Sequence, residues 1–144
     1  MREMRDSMPG RLAAIGGTVV LVASLCAYAG GLLISDLRIG RSVINTFKEC
    51  DTFETGENVW IVSEVTNALS QTQAVTLVYR FTYDDGAKSK ESCVVTVRGK
   101  HHIVKQSSFV FTGTGEVRVV VELEDSEGHV VDRRSSRFVV VRDR

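Results

Sequence analysis

The stretch Val75-Thr76-Leu77-Val78-Tyr79-Arg80-Phe81-Thr82-Tyr83 carries a large apolar side chain at every odd-numbered position. Its even-numbered positions include two threonines and an arginine, so one face is apolar and the other largely polar. A period of two is typical of a β-strand that buries one face. A second stretch, Val117-Arg118-Val119-Val120-Val121-Glu122-Leu123, has the same period. These two stretches predict the central strands of a β-fold.

Five further segments have strand-like composition and predict strands at 42–48, 59–66, 92–97, 103–111 and 138–141. Turn-forming residues separate them, and the pair Asp85-Gly86 favours a hairpin because glycine accepts a positive φ. After Ser35 we find no helical period of useful length. Seven short strands at this spacing predict an all-β, seven-stranded, immunoglobulin-like antiparallel sandwich.

Ahead of this domain, residues 12–35 form a run without charged side chains. At about 1.5 Å per residue, a helix of this length can cross a hydrocarbon core of about 30 Å. The run predicts one transmembrane helix at 12–35, after a short leader at 1–11. A juxtamembrane segment with a possible first strand then occupies 36–50, and the sandwich occupies 51–144.

A cleaved signal peptide is the alternative, because Ala27-Tyr28-Ala29 matches the small-x-small cleavage pattern. The apolar character continues to Ser35, as expected of a stop-transfer helix, and favours a retained anchor. Cationic residues are balanced across the run, with Arg2, Arg5 and Arg11 before it and Arg38, Arg41 and Lys48 after it. The commoner arrangement for a leading span exports the following domain. We therefore expect a single-pass membrane protein, in contact with lipid, whose C-terminal domain is extracytoplasmic.

Small residues recur within the predicted span at Ala13, Gly17, Ala23, Ala27 and Gly31. Such positions let two helix backbones approach closely in lipid, so they form a candidate face for packing against another subunit. The alternative is that glycine and alanine are simply frequent in transmembrane helices.

The three cysteines are Cys26, inside the apolar run, and Cys50 and Cys93 beyond it. Cys26 is expected to behave as a small hydrophobic residue. If the domain is exported, a disulfide between Cys50 and Cys93 is allowed and would stabilise the fold by about 2–4 kcal/mol. Two unpaired thiols are the alternative.

The formal net charge of the chain is +0, and residues 51–144 carry 12 basic and 14 acidic side chains. This balance favours no nucleic-acid partner. Arg133, Arg134 and Arg137 form the densest basic cluster, which is a candidate surface for lipid headgroups or an acidic partner. The favoured interpretation is that they offset the acidic residues of 122–127 across a hairpin.

Catalytic and metal-binding patterns are weak. His101 and His102 are adjacent and would point to opposite faces of a strand, and neither they nor His129 have other ligands at a recognised spacing. The sequence contains no Gly-x-Ser-x-Gly elbow and no phosphate-binding loop followed by lysine. We therefore expect no enzyme activity, no metal and no cofactor.

Two turn-like motifs carry a family resemblance. Val65-Thr66-Asn67 and the segment from Asp125 to Asp132 resemble the V-x-N and D-x-x-G-x-V turns of CARDB-like and related immunoglobulin-type modules. Such modules are common on prokaryotic, especially archaeal, cell-surface proteins. The resemblance implies a seven-stranded adhesion or assembly module without catalytic residues.

An exposed strand edge can accept a strand from a partner, and the candidate edges are 43–47 and 138–141. Trp60 is expected to pack in the core or cover a sheet rather than to anchor a partner. We therefore predict protein-protein interaction at the cell surface. The alternative is an accessory subunit of a larger membrane complex or surface filament, assembled through the transmembrane helix.

Overall fold

The computed structural model describes residues 31–143, which form two β-sheets packed face to face. In chain order the strands are β1 (Leu32–Val43), β2 (Thr46–Glu49), β3 (Thr52–Glu54), β4 (Asn58–Asn67), β5 (Gln73–Tyr83), β6 (Lys88–Val97), β7 (His102–Val110), β8 (Gly115–Glu124) and β9 (Val130–Val141). The five-stranded sheet has the order β3-β9-β8-β5-β6, and the four-stranded sheet has the order β2-β1-β4-β7. Among the nine described strands, only β3 and β9 pair in parallel. The described part of the chain is thus an all-β sandwich, as the alternating pattern predicts.

The two stretches with the clearest alternation lie side by side in the centre of the five-stranded sheet. Leu77 of β5 is paired with Leu123 of β8, and Phe81 is paired with Val119. All four side chains are buried between the sheets. Aromatic rings close one end of this core, where Phe81, Phe109, Phe111 and Phe138 meet with ring centroids 5.1–5.3 Å apart. The prediction that these stretches form the centre of the fold is confirmed.

The boundary predicted at Ser35 is wrong, because β1 already begins at Leu32. Leu32 and Ile34 are completely or almost completely buried in the sandwich core. Gly31 precedes them with a φ of +75°, and a Cβ at this position would lie 2.5 Å from the Leu69 side chain. The glycine at position 31 is therefore explained by the turn into the sandwich rather than by helix packing.

The rest of the predicted membrane segment and the leader, including Ala13, Gly17, Ala23 and Ala27, lie outside the described residues. Between residues 31 and 143, no helix has the length and hydropathy needed to cross a bilayer.

The strand predicted at 42–48 is instead the tip of a hairpin. Ile44 and Asn45 have positive φ angles of 49° and 60°, and they turn the chain from β1 into β2. The sequence pattern misses this turn because a β-branched residue such as isoleucine rarely adopts the left-handed region. β6 and β9 begin earlier than predicted, at Lys88 and Val130. The sequence pattern misses their first residues because most of them are polar.

The two cysteines of the domain are both free, and no bridge joins them. Cys50 lies between β2 and β3, whereas Cys93 lies in β6 at the opposite edge of the five-stranded sheet. Four strand spacings of about 4.8 Å separate β3 from β6, on the order of 19 Å. A disulfide requires Cα atoms within about 7 Å. The predicted pairing of Cys50 with Cys93 is therefore corrected to two unpaired thiols.

One buried amide joins two loops, β4–β5 and β6–β7, at the end of the sandwich where β1 begins. The Asn67 side chain donates to the carbonyls of Gln71 at 2.9 Å, Val97 at 3.0 Å and Arg98 at 3.3 Å. Its Oδ1 accepts from the backbone N–H of Leu69 at 2.9 Å. Asn67 is fully buried, so these bonds satisfy backbone groups that water cannot reach.

We expect Asn67→Ala to lower the free energy of unfolding by about 3 kcal/mol, because it leaves several buried backbone groups without partners. Asn67→Asp should be at least as damaging, since it places a carboxylate against carbonyl oxygens. Urea unfolding of the full chain measures both. Thr72→Ala, at an exposed position of the same loop, is the control and should change stability by less than about 0.5 kcal/mol. Equal stability of the Asn67 and Thr72 variants would contradict the role assigned to the amide.

Candidate interaction surfaces

β6 and β7 are the long open edges of the two sheets. β6 pairs only with β5, and β7 pairs only with β4, so the outer side of each strand has no strand partner among residues 31–143. The other two edge strands are short, with four residues in β2 and three in β3. The predicted edge at 138–141 is wrong because this part of β9 lies between β8 and β3. The predicted edge at 43–47 coincides only in part with the short β2.

The two open strands lie on the same side of the sandwich. Tyr79 of β5, which neighbours β6, packs its ring 5.1 Å from that of Phe109 in β7. Three large apolar side chains on these strands are exposed to solvent: Val94, on the outer face of the five-stranded sheet, is 70% exposed, and on the outer face of the four-stranded sheet Val104 is 46% and Val110 is 54% exposed. We call the open edges of β6 and β7, with these valines, the lateral surface.

A buried hydroxyl lies just behind the lateral surface. The Tyr79 hydroxyl is 3.1 Å from the Ser107 Oγ, and burial raises the pKa of Tyr79 to about 12, with a further contribution from the neighbouring Cys93. A phenol with this pKa stays protonated at neutral pH, so it is a neutral hydrogen-bonding group rather than a base or nucleophile. Ser63 is also fully buried, and its Oγ has no hydrogen-bond partner in the described structure.

The outer face of the five-stranded sheet carries an ion-pair network centred on Glu122. Arg80 of β5 lies 2.9 Å from one carboxylate oxygen of Glu122, and Arg133 of β9 lies 2.9 Å from the other. Burial alone would raise the pKa of Glu122, but the hydrogen bonds and charges of the two guanidinium groups outweigh it and lower this pKa. The Glu122 side chain is only 8% exposed.

The predicted cluster of arginines divides between the two faces of β9. Arg133 and Arg137 point outward. Arg133 pairs with Glu122, as the cross-hairpin interpretation predicts, whereas Arg137 lies 3.4 Å from Glu116, which is outside the predicted acidic stretch. Arg134 alternates with them and its charge lowers the pKa of Asp132, although burial raises that pKa overall. The role of Arg80 was missed, because 53 positions separate it from Arg133 and only the sheet register brings them together.

The Asp132 carboxylate connects the sheets near the start of β1. Its two oxygens accept hydrogen bonds of 2.8 Å from the backbone N–H groups of Ile34 and Arg133. The bond from Ile34 attaches β9 to the first strand of the opposite sheet, at the end where residue 31 enters.

Trp60 lies on the outer face of the four-stranded sheet, directly opposite Gly40 of β1, and is half-buried. It therefore covers a sheet, which is one of the two positions predicted for it. At the far end of the sandwich, a shallow cleft of about 570 Å³ is lined by Arg41, Glu54, Thr55, Gly56, Glu57 and Asp143. The Arg41 guanidinium in this cleft already has partners within the domain, because it pairs with Glu57 and donates a hydrogen bond of 2.8 Å to the Thr52 carbonyl.

Each of the three histidines contacts a different residue. His101 Nδ1 lies 2.7 Å from the Gly99 carbonyl, His102 faces Glu64 at 3.5 Å and His129 faces Asp125 at 3.5 Å. In the segment from 31 to 143, no group of three or more histidine, cysteine or carboxylate side chains is arranged to hold a metal ion.

No protein-family model and no curated protein matches this chain. Among solved structures, the C-terminal domain of Wzt is similar, with a TM-score of 0.64 and 14% identity over 79% of this chain and 75% of that one. The Bacteroides uniformis β-glucuronidase has a TM-score of 0.63 and 11% identity over 76% of this chain. The Pseudomonas fluorescens DNA glycosylase AlkC has a TM-score of 0.53 and 12% identity over 76% of this chain.

The matched region spans only 14% of the β-glucuronidase and 30% of AlkC, but most of the Wzt domain. At these identities the likeness shows the fold alone. The described residues therefore have a β-sandwich fold that also occurs as a part of larger proteins.

We expect Glu122→Gln to lower the free energy of unfolding by about 1–2 kcal/mol at pH 7, because Arg80 and Arg133 then lose their shared carboxylate. The folded-state pKa of Glu122 is below the ordinary value of 4.5, so its contribution is present above about pH 4.5 and is lost as the pH falls. Urea unfolding of both proteins between pH 7 and pH 3 measures this effect. A stability difference that stays constant or grows on acidification would contradict the ion-pair assignment.

Proposed function

We propose that this chain is a membrane-tethered, immunoglobulin-like β-sandwich that acts without catalysis by binding another protein through its lateral surface. The observation that carries the proposal is the pair of long open strands, β6 and β7, on one side of the sandwich. Three exposed valines lie on these strands, whereas the other edge strands are short.

An open strand presents unpaired N–H and C=O groups that can pair with a strand of a partner. Charged side chains commonly protect such edges, and the first half of β6 contains Lys88, Lys90 and Glu91. Its second half, residues 92–97, has no charge and includes Val94, the most exposed of the three valines. A strand with apolar side chains toward this half of β6 fits the lateral surface best.

The immunoglobulin-like description is supported by the distribution of the seven longer strands. The first, second and fifth of them form one sheet, and the third, fourth, sixth and seventh form the other. Immunoglobulin-type sandwiches divide seven strands between two sheets in a similar order, with the fourth strand as the variable member.

The tether is supported by the sequence that leads into β1. Residues 12–30 contain no charged side chain, and as a helix they would extend about 28 Å, close to the thickness of a hydrocarbon core. Gly31 follows at once and turns the chain into the sandwich. We place this segment in a membrane as a single span, with the sandwich on the extracytoplasmic side.

Photocrosslinking in intact cells tests the proposal. Benzoylphenylalanine is introduced into the full chain at Val94, at Val104, or at Ser42, an exposed control position on β1. We expect a discrete crosslinked protein from positions 94 and 104 and none from 42, because only the first two lie on the lateral surface. Membrane fractionation of the same cells should recover the chain with the membranes.

Two outcomes would contradict this function. Equal crosslinking from all three positions would indicate non-specific contact, and the absence of adducts from both 94 and 104 would remove the lateral surface as a binding site. Benzoylphenylalanine is also introduced at Ala23 and Ala27. Adducts from these two positions instead would support the alternative proposal, an accessory subunit assembled through its transmembrane segment.

A further inference from the structure

Two neighbouring rows of outward side chains cross four strands of the five-stranded sheet. Cross-strand pairing aligns one row as Lys90, Arg80, Val120 and Ser135, and the next as Lys88, Thr82, Arg118 and Arg137. We call these eight residues the basic double row. Five of the eight are cationic and none is acidic, although the whole chain has a net charge of +0.

Like charges lie directly opposite each other within the basic double row. Arg80 is the cross-strand partner of Lys90, and Arg118 is the cross-strand partner of Arg137. Opposed side chains of this kind have Cβ atoms about 5 Å apart, and equal charges there are unfavourable. The arrangement therefore costs stability in the isolated domain.

Carboxylates border the basic double row without neutralising it. Glu122 pairs with Arg80 and Glu116 pairs with Arg137, each from an adjacent row. Asp84, in the turn after β5, accepts a hydrogen bond from the Glu116 backbone at 3.0 Å. Lys88, Lys90 and Arg118 make no ion pair with any residue between 31 and 143, and Lys88, Lys90, Arg118 and Arg137 are all exposed.

We infer that the basic double row is a docking surface for an acidic segment of a partner protein. The row extends over three strand spacings, about 14 Å, which corresponds to four or five residues of extended peptide. Carboxylates at alternate positions of such a segment would follow each other at about 6.6 Å, and they could reach cations in both rows. This surface adjoins the lateral surface, because Val94 lies on the same outer face of β6 as Lys88 and Lys90. Recognition by charge does not require strand addition at the open edge, so the inference does not depend on it.

A lipid bilayer fits this surface less well than an acidic protein segment. The end of β6, at Val97, lies beside Gly31, where the chain enters β1. Lys88 is at the other end of β6, so the cations lie in the half of the sheet farthest from Gly31. Nine residues of strand separate those ends, about 30 Å, whereas charge interactions decay over about 8 Å at physiological ionic strength. This step rests on the proposed tether, which places the membrane at the Gly31 end.

A nucleic acid is also disfavoured. Single strands bind protein surfaces by stacking bases on aromatic side chains. The outward positions of the four strands in the basic double row hold threonine, serine, alanine, valine and charged residues, with no aromatic ring.

Fluorescence anisotropy with the full chain in a neutral detergent tests the inference. The probe is a fluorescein-labelled peptide of eight residues with alternating Glu and Ser, and its Gln-Ser counterpart measures binding that does not depend on charge. We expect the pair Lys88→Glu and Arg118→Glu to weaken binding of the acidic peptide about tenfold or more, because two attractions become repulsions. Binding by the wild type should also weaken as salt is raised.

The matched control reverses Lys48 and Arg98, which are exposed and lie outside the basic double row, by Lys48→Glu and Arg98→Glu. Both pairs change the net charge equally, but the control should shift the Kd less than twofold. Glu at position 118 faces Arg137, so the test pair should retain its fold in thermal unfolding, and Lys88→Gln with Arg118→Gln is the substitute if it does not.

Unchanged binding in the test pair, or equal weakening in both pairs, would overturn the inference. So would tighter binding of the wild type to vesicles containing 30% phosphatidylserine, or to a twelve-nucleotide oligothymidine, than to the acidic peptide. None of these results bears on crosslinking from Val94 and Val104, so failure here and failure of the proposed function are distinguishable.

Discussion

The register between β5, β8 and β9 is the constraint on which the rest of the structure depends. Leu77 faces Leu123, and Phe138 faces Val117, so every apolar odd position of β5 and β8 points between the sheets. A shift of one residue would move these side chains into solvent and carry charged ones into the core. The burial of the core therefore also determines which cations share the outer face.

On that outer face, the cations of one region are paired with a carboxylate, whereas most cations of the other region are not. Near the entry of β1, Glu122 neutralises two guanidinium groups and is nearly buried by them. Toward the far end, like charges face each other in the basic double row, and the carboxylates between residues 31 and 143 pair with only some of its cations. β6 belongs to both proposed binding surfaces, because its first half contributes Lys88 and Lys90 to the basic double row and its second half contributes Val94 to the lateral surface. A partner that engages β6 could contact the two surfaces together.

The strong alternation in β5 and β8 made the central strands and the fold class predictable from the sequence. Three features were not predictable, and two of them depend on contacts distant in the chain. Leu32 and Ile34 are apolar in a run that continues backward for 20 residues, and only pairing with β4 shows that they belong to the core. The turn at Ile44 contradicts the local preference of isoleucine. The basic double row draws on four strands, so the cluster that is densest in sequence, Arg133 to Arg137, contains only one of its five cations.

The most direct test of this account is the set of interstrand nuclear Overhauser effects between backbone protons of the full chain in detergent micelles. The account predicts contacts between Arg118 and Arg137, between Arg80 and Val120, and between Arg80 and Lys90. Contacts displaced by one residue along any of these strands would place the cations on the inner face or break the two rows. That result would contradict both the fold described here and the surface inferred from it.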